Sequence, residues 1–144
     1  MQGFPKVKLI AAGKIKKAWV QTGLQMYLKR LPELSITEIR DSDPAAEARK
    51  VLDRCRSGDR LIVLTEDGVS LSSEAFARQL AAAPSNSLVF YIGGPTGIAP
   101  ALRQSAHQLL SLSPMTFPHE VARLLLVEQL YRAKTILQGG TYHK

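Results

Sequence analysis

Leu88-Val89-Phe90-Tyr91-Ile92-Gly93-Gly94-Pro95-Thr96-Gly97 is the stretch whose reading decides the fold. Five consecutive apolar residues describe a strand buried on both faces, which belongs in a parallel sheet between layers of helices. The glycine block that follows permits positive φ angles and close approach of backbone amides to a ligand. In sheets of this kind ligands sit beyond the carboxyl ends of the strands, where this block falls. It spells no known phosphate cradle: the lysine and Ser/Thr of a Walker motif are missing, and the spacing differs from G-x-G-x-x-G. Taken alone, such a block is more often a tight turn than a binding loop.

Upstream, strands and helices alternate. Val7-Lys8-Leu9-Ile10-Ala11-Ala12 reads as a strand, and Gly13-Lys14 ends it. From Lys16 to Leu31 the residues Trp19, Val20, Leu24, Tyr27, Leu28 and Leu31 recur at helical spacing, which predicts a packed helix stopped by Pro32. Leu34-Ser35-Ile36-Thr37-Glu38-Ile39 alternates like a half-exposed strand. Asp43-Pro44 supplies an N-cap and a first helical residue for a polar helix reaching about Arg56, closed by Gly58. Leu61-Ile62-Val63-Leu64 is a second strand apolar on both faces, and Ser72-Ser73-Glu74 opens the helix that carries Phe76 and Leu80.

Downstream, Pro100 to Leu110 is predicted helical and Ser111 to Pro118 strand-like, with His119 to Leu137 as the longest helix, about 28 Å at 1.5 Å per residue. The alternation predicts an α/β fold, a mostly parallel sheet with helices on both faces. No internal repeat or linker divides it, so residues 1–144 are expected to form a single domain.

Three further blocks carry polar chemistry. Ser113-Pro114-Met115-Thr116-Phe117-Pro118, stiffened by two prolines, suits the wall of a site for a flat heteroaromatic ring, or else an edge strand with proline ends. His119-Glu120 opens the long helix, with Glu120 complementing the macrodipole and His119 near its positive end. Arg123 follows His119 on the same face, so the two are placed to address one anionic or carbonyl-bearing substrate. A histidine at a helix start is nonetheless more often a cap or packing residue. The tail Gly139-Gly140-Thr141-Tyr142-His143-Lys144 carries an aromatic ring, an imidazole and a cation on a glycine pair, suited to stacking on a base and touching phosphate. Most such tails are frayed and inert. The long helix is apolar on more than one side, which fits burial against a second copy of the chain or enclosure by its own fold.

Composition bounds the function. With 45% hydrophobic and 22% charged residues among 144, the chain has the make-up of a soluble globular protein. No stretch is apolar for the roughly 18 to 20 residues needed to cross a bilayer, and the start resembles no signal or transit peptide, so a cytoplasmic location and no membrane partner are expected. A single cysteine allows no intramolecular disulfide, and the three histidines match no metal motif, so no metal is expected. The net charge of +7, with Lys6, Lys8, Lys14, Lys16, Lys17, Lys29 and Arg30 crowded near the start, favours a polyanion partner or a solvated helix face.

Read together, Phe90 to Gly97, Leu110 to His119, Val127-Glu128-Gln129-Leu130-Tyr131-Arg132-Ala133 and Tyr142-His143-Lys144 resemble the RlmH-type methyltransferases of the SPOUT class, and the likeness reaches Ala12-Gly13-Lys14 and Trp19. The resemblance implies a C-terminal trefoil knot, a homodimer, and transfer of a methyl group from S-adenosylmethionine to N3 of a pseudouridine in 23S ribosomal RNA, free or in the assembled ribosome. It assigns Leu64, Gly94, Ser113, Pro114, Met115, Thr116, Phe117 and Pro118 to the methyl donor. His119, Arg123, Tyr142 and His143 fall to the reaction, with the tail completing the site of the partner subunit. Two positions depart from the family pattern: Thr65 stands where an acidic residue is usual, with Glu66 one place on, and Val69 stands where a lysine is usual. The stretch from Asp41 to Asp59 is also shorter than in most members. The alternatives are a noncatalytic basic RNA-binding dimer on the same fold, a SPOUT methyltransferase acting on another RNA position, and an unrelated nucleotide-binding α/β enzyme using the glycine block for phosphate, which the absent lysine argues against.

Overall fold

A computed structural model describes residues 3–84 and 86–143. The chain runs β1 (Val7–Ala12), α1 (Ala18–Leu28), β2 (Leu34–Ile39), α2 (Pro44–Arg54), β3 (Arg60–Ser70), α3 (Ser73–Ala82), β4 (Leu88–Ile92), α4 (Pro100–Ser105), β5 (Gln108–Ser111) and α5 (His119–Leu137). The five strands form one sheet in the order β2-β1-β4-β3-β5, with every pairing parallel. Parallel neighbours need crossovers, which the helices supply.

Side chains along β4 alternate between two apolar layers. Leu88, Phe90 and Ile92 join α1, α3 and α5 through Val20, Leu24, Phe76, Leu80, Leu126 and Leu130. Val89 and Tyr91 join α2 and α4 through Ala48, Val51 and Leu102. Helices therefore cover both faces, as the apolar strands require. Helix α5 buries one stripe in its own fold: Glu120, Arg123, Leu126, Val127, Leu130 and Ala133 are buried, and Leu124 packs where a Cβ on Gly23 of α1 would stand 3.3 Å away. Leu125 and Leu137 stay partly exposed.

Caps fix several boundaries. Asp43 accepts from the Ala46 amide at 2.9 Å and Ser72 from the Ala75 amide at 3.1 Å, each satisfying a donor left free by the first helical turn. Helix α1 begins at Ala18 rather than Lys16, with Lys17 extended as its N-cap, and the backbone amides of Lys16 and Lys17 donate to Glu120 Oε1, at 3.1 and 3.0 Å. Trp19, predicted to pack, is 60% exposed. Leu31 is buried but lies beyond the helix.

The larger correction concerns residues 100–118. The helix ends at Ser105, the strand occupies Gln108–Ser111, and residues 112–118 are irregular. The ladder to β3 begins at His107, whose amide donates to the Leu61 carbonyl at 2.8 Å while its Nδ1 accepts from the Leu61 amide at 3.0 Å. Strand β3 also runs on to Ser70, past a register shift between Leu64 and Val69 where it pairs with Leu110 twice.

Register brings the loops together. Val63 pairs with Tyr91, and Ala11 with Ile92, so Gly13 and Gly93 leave the sheet, and the register shift after Leu64 falls, at one carboxyl edge.

Candidate active site

At that edge lies a pocket of about 620 Å³, within the size range of small-molecule sites. Leu64, Thr65 and Glu66 wall it from β3, and Ile92, Gly93, Gly94, Pro95, Gly97 and Ile98 from the end of β4 and its turn. The third wall is Leu112, Ser113, Met115, Thr116, Phe117 and Pro118, followed by His119 and Ala122 of α5. Of the residues assigned to the methyl donor, all but Pro114 line this space. Ser113 Oγ accepts from the Met115 amide at 3.1 Å, which turns the segment tightly at Pro114. Met115 is 73% exposed at the rim.

The turn after β4 is tight because Gly97 sits at φ 94° and its amide donates to the Gly94 carbonyl at 3.4 Å. At Gly13, with φ 92°, a Cβ would come within 3.7 Å of both His119 Nε2 and Asp41 Oδ2, so the end of β1 runs close beside the imidazole.

The candidates for the reaction are not gathered in one place within the protomer. His119 lines the pocket. Arg123, one turn on, is buried behind it, with Nη1 at 2.6 Å from Glu38 Oε2 and Nη2 donating to the Gly13 carbonyl at 3.0 Å. Tyr142 and His143 lie outside the pocket lining. The Tyr142 hydroxyl donates to Glu128 Oε2 at 2.8 Å, its ring meets Tyr131 edge-on at 4.8 Å, and the Arg132 guanidinium stands 4.9 Å from the ring centre. Burial, then hydrogen bonds with Tyr27 and Glu128, raise the Tyr142 phenol well above its ordinary value. His143 places Nδ1 at 2.9 Å from Arg132 Nη1 and Nε2 at 2.5 Å from Glu74 Oε1, and that bond holds the Glu74 carboxyl below its usual range. Lys144 lies outside the described residues.

Sequence reasoning missed a polar corner of the pocket. Arg103 of α4 lines it, with Nη2 at 2.7 Å from Asp67 Oδ2 and Nη1 donating to Thr65 Oγ1 at 3.4 Å. The Thr65 hydroxyl, followed by Arg103, lowers the Asp67 pKa. The departure at Thr65 marked this place, but Arg103 carried no local signal. Among the described residues, no group of three or more His, Cys, Asp or Glu is placed to hold a metal ion, and no helix is long and apolar enough to cross a membrane.

The all-parallel sheet carries at its carboxyl edge a pocket with apolar walls from Leu64, Ile92, Ile98, Leu112 and Phe117 and a polar side from Thr65, Glu66, Arg103 and His119. The family model described as "Predicted SPOUT methyltransferase" matches residues 6–143. The chain belongs to the SPOUT methyltransferase family. Among its relatives, three named "Ribosomal RNA large subunit methyltransferase H" extend the likeness over nearly the whole length. The protein of Prochlorococcus marinus (strain MIT 9211) is 49% identical over 139 residues, 96% of each chain. That of Prochlorococcus marinus (strain MIT 9303) is 53% identical over 137 residues, 95% of this chain and 91% of the relative. That of Synechococcus sp. (strain RCC307) is 50% identical over 139 residues, 96% of this chain and 95% of the relative.

Proposed function

We propose that this protein transfers a methyl group from S-adenosylmethionine to N3 of a pseudouridine in 23S ribosomal RNA, acting in the cytoplasm as a homodimer of single-domain subunits spanning residues 1–144. The observation that carries the reading is the pocket at the sheet edge, in a chain about half identical to relatives named for large-subunit ribosomal RNA methylation. The trefoil knot of the SPOUT class is part of the same reading, supported by the family match.

The lining suits the donor. Apolar Leu64, Ile92, Ile98, Leu112 and Phe117 offer surface for an adenine ring, and the backbone of Gly94 and of residues 113–118 offers hydrogen-bonding groups for its edge. Glu66 and Thr65 supply the polar side. When bound, S-adenosylmethionine supplies a methyl group already activated by a positive sulfur. The chain's own tasks are then alignment of the acceptor and removal of the imide proton.

His119, on the wall, and the partner's His143 are the proton-accepting candidates, and the partner's Tyr142 suits a stacking wall for the nucleoside. Arg123 acts from behind: through the Gly13 carbonyl and Glu38 it fixes the end of β1 against the turn of α5 that carries His119.

The test is transfer of labelled methyl from S-adenosylmethionine to ribosomal RNA of cells lacking the gene, with the product nucleoside read by mass spectrometry. A methylated pseudouridine in 23S RNA, formed with inhibition by S-adenosylhomocysteine and not by ATP, is expected. Binding to RNA with no uptake of S-adenosylhomocysteine would overturn the reading in favour of a noncatalytic RNA-binding dimer. The His119→Ala and His143→Ala variants, compared in the same assay, separate the two histidines.

A further inference from the structure

Glu47, on the first turns of α2, is 1% exposed, yet methyl transfer as described makes no use of it. Burying a carboxylate is costly unless its oxygens are matched by donors. Here Oε2 accepts from the Ser42 amide at 2.8 Å, and Oε1 accepts from the Tyr91 hydroxyl at 3.0 Å and, at a longer 3.4 Å, from the Gly94 amide. These donors come from the segment before α2, from the penultimate residue of β4, and from the glycine turn that walls the pocket. A second strap runs alongside, since the Thr96 hydroxyl donates to the Ser42 carbonyl at 3.3 Å. The fit at Gly94 is close: a Cβ there would stand 3.1 Å from Glu47 Oε2.

We infer that Glu47 is a positioning residue for the methyl-donor pocket, its carboxylate clamping the junction at which β4 passes into the 93–97 turn. The inference rests on the proposed function, because it assigns the turn to the donor. Tyr91 and Gly94 flank that junction, so a single carboxylate oxygen spanning both sets where the turn stands relative to the strand end. Ser42, bonded to the other oxygen, ties the pair to the connection between β2 and α2.

The test compares Glu47→Gln and Tyr91→Phe with the wild type. Glutamine keeps the shape of the side chain but can accept at one end only: with its oxygen towards the Ser42 amide, its NH2 group meets the Gly94 amide, donor against donor, while Tyr91→Phe deletes one hydroxyl and leaves the ring in the core. By titration calorimetry with S-adenosylhomocysteine, Glu47→Gln is expected to bind about tenfold more weakly and Tyr91→Phe by a smaller factor. In turnover, KM for S-adenosylmethionine rises by a similar factor, while kcat at saturating donor and KM for ribosomal RNA stay within about twofold, as for lost ground-state binding. Leu130→Ala, a cavity in the opposite apolar layer, serves as the comparison: it lowers the melting temperature and leaves donor affinity unchanged. Wild-type affinity in both Glu47→Gln and Tyr91→Phe overturns the inference, as does an equal loss of affinity in Leu130→Ala. If the wild type itself takes up no S-adenosylhomocysteine, the functional reading fails and the inference falls with it.

Discussion

Arg123 and Glu38 form an ion pair, Nη1 to Oε2 at 2.6 Å, in which the arginine side chain is 3% exposed and the glutamate 39%. The asymmetry sets what a substitution does. In Arg123→Met the Glu38 carboxylate can rehydrate, so the cost falls below that of orphaning a fully buried charge, to about 2 to 3 kcal/mol. Arg123→Lys rescues only part of this, because one ammonium cannot reproduce the two-armed grip on Glu38 and the Gly13 carbonyl. Urea unfolding at unchanged m value measures both. A loss in Arg123→Met below about 0.5 kcal/mol would show the pair to be inert.

Glu120 gives a pH signature. The amide of Lys17, together with that of Lys16, holds its carboxyl below the ordinary value of 4.5. A folded-state value that is depressed contributes stability in full above 4.5, and that contribution is lost as pH falls through the lower folded value. The stability gap between the wild type and Glu120→Gln is therefore expected to be constant near neutrality and to shrink below about pH 4. Denaturant midpoints recorded across that range check it, and a gap that stays constant into strong acid would contradict it.

Gly68 admits no side chain without moving backbone. A Cβ there would lie 2.6 Å from the carbonyl carbon and oxygen of Leu109 and 2.8 Å from the Leu110 amide. Gly68→Ala is expected to cost about 1 to 3 kcal/mol as overpacking, and to speed amide exchange in β5 more than in β1. Equal protection in the two strands would place the strain elsewhere.

The tail allows a subunit-mixing test. His119 faces the pocket, whereas Tyr142 packs on Tyr131 and Glu128 away from it. If each site takes its tail from the partner, His119→Ala and Tyr142→Ala are each nearly inactive alone. Mixed under exchange, they regain about a quarter of wild-type activity, because half of a random dimer population is hybrid with one intact site of two. No recovery, in dimers shown to exchange, would rule out a shared site.

The frame was legible where local signals are strong. The bounds of β1, β2, β4 and α5 coincide with those read from apolar runs, from Pro32 and from the start at His119. Strand β5 escaped because four residues are too few to show a period, and Leu102, Leu109 and Leu110 also fit helical spacing. The second half of β3 is polar and follows a register shift, so it shows no alternation. At the pocket, the 113–118 segment was readable because prolines and an apolar wall leave a compositional trace. The commitment of Arg123 to Glu38, 85 residues away, leaves none. Helical spacing says that His119 and Arg123 share a face, not what that face meets.

The alternation along β4 has a practical consequence. Because Phe90 and Ile92 belong to one layer and Tyr91 to the other, the sheet works as a bulkhead between two compartments. Laboratory evolution can reshape the α2 compartment to shift the glycine turn at the pocket wall, while the α5 compartment that presents the imidazole keeps its own packing untouched.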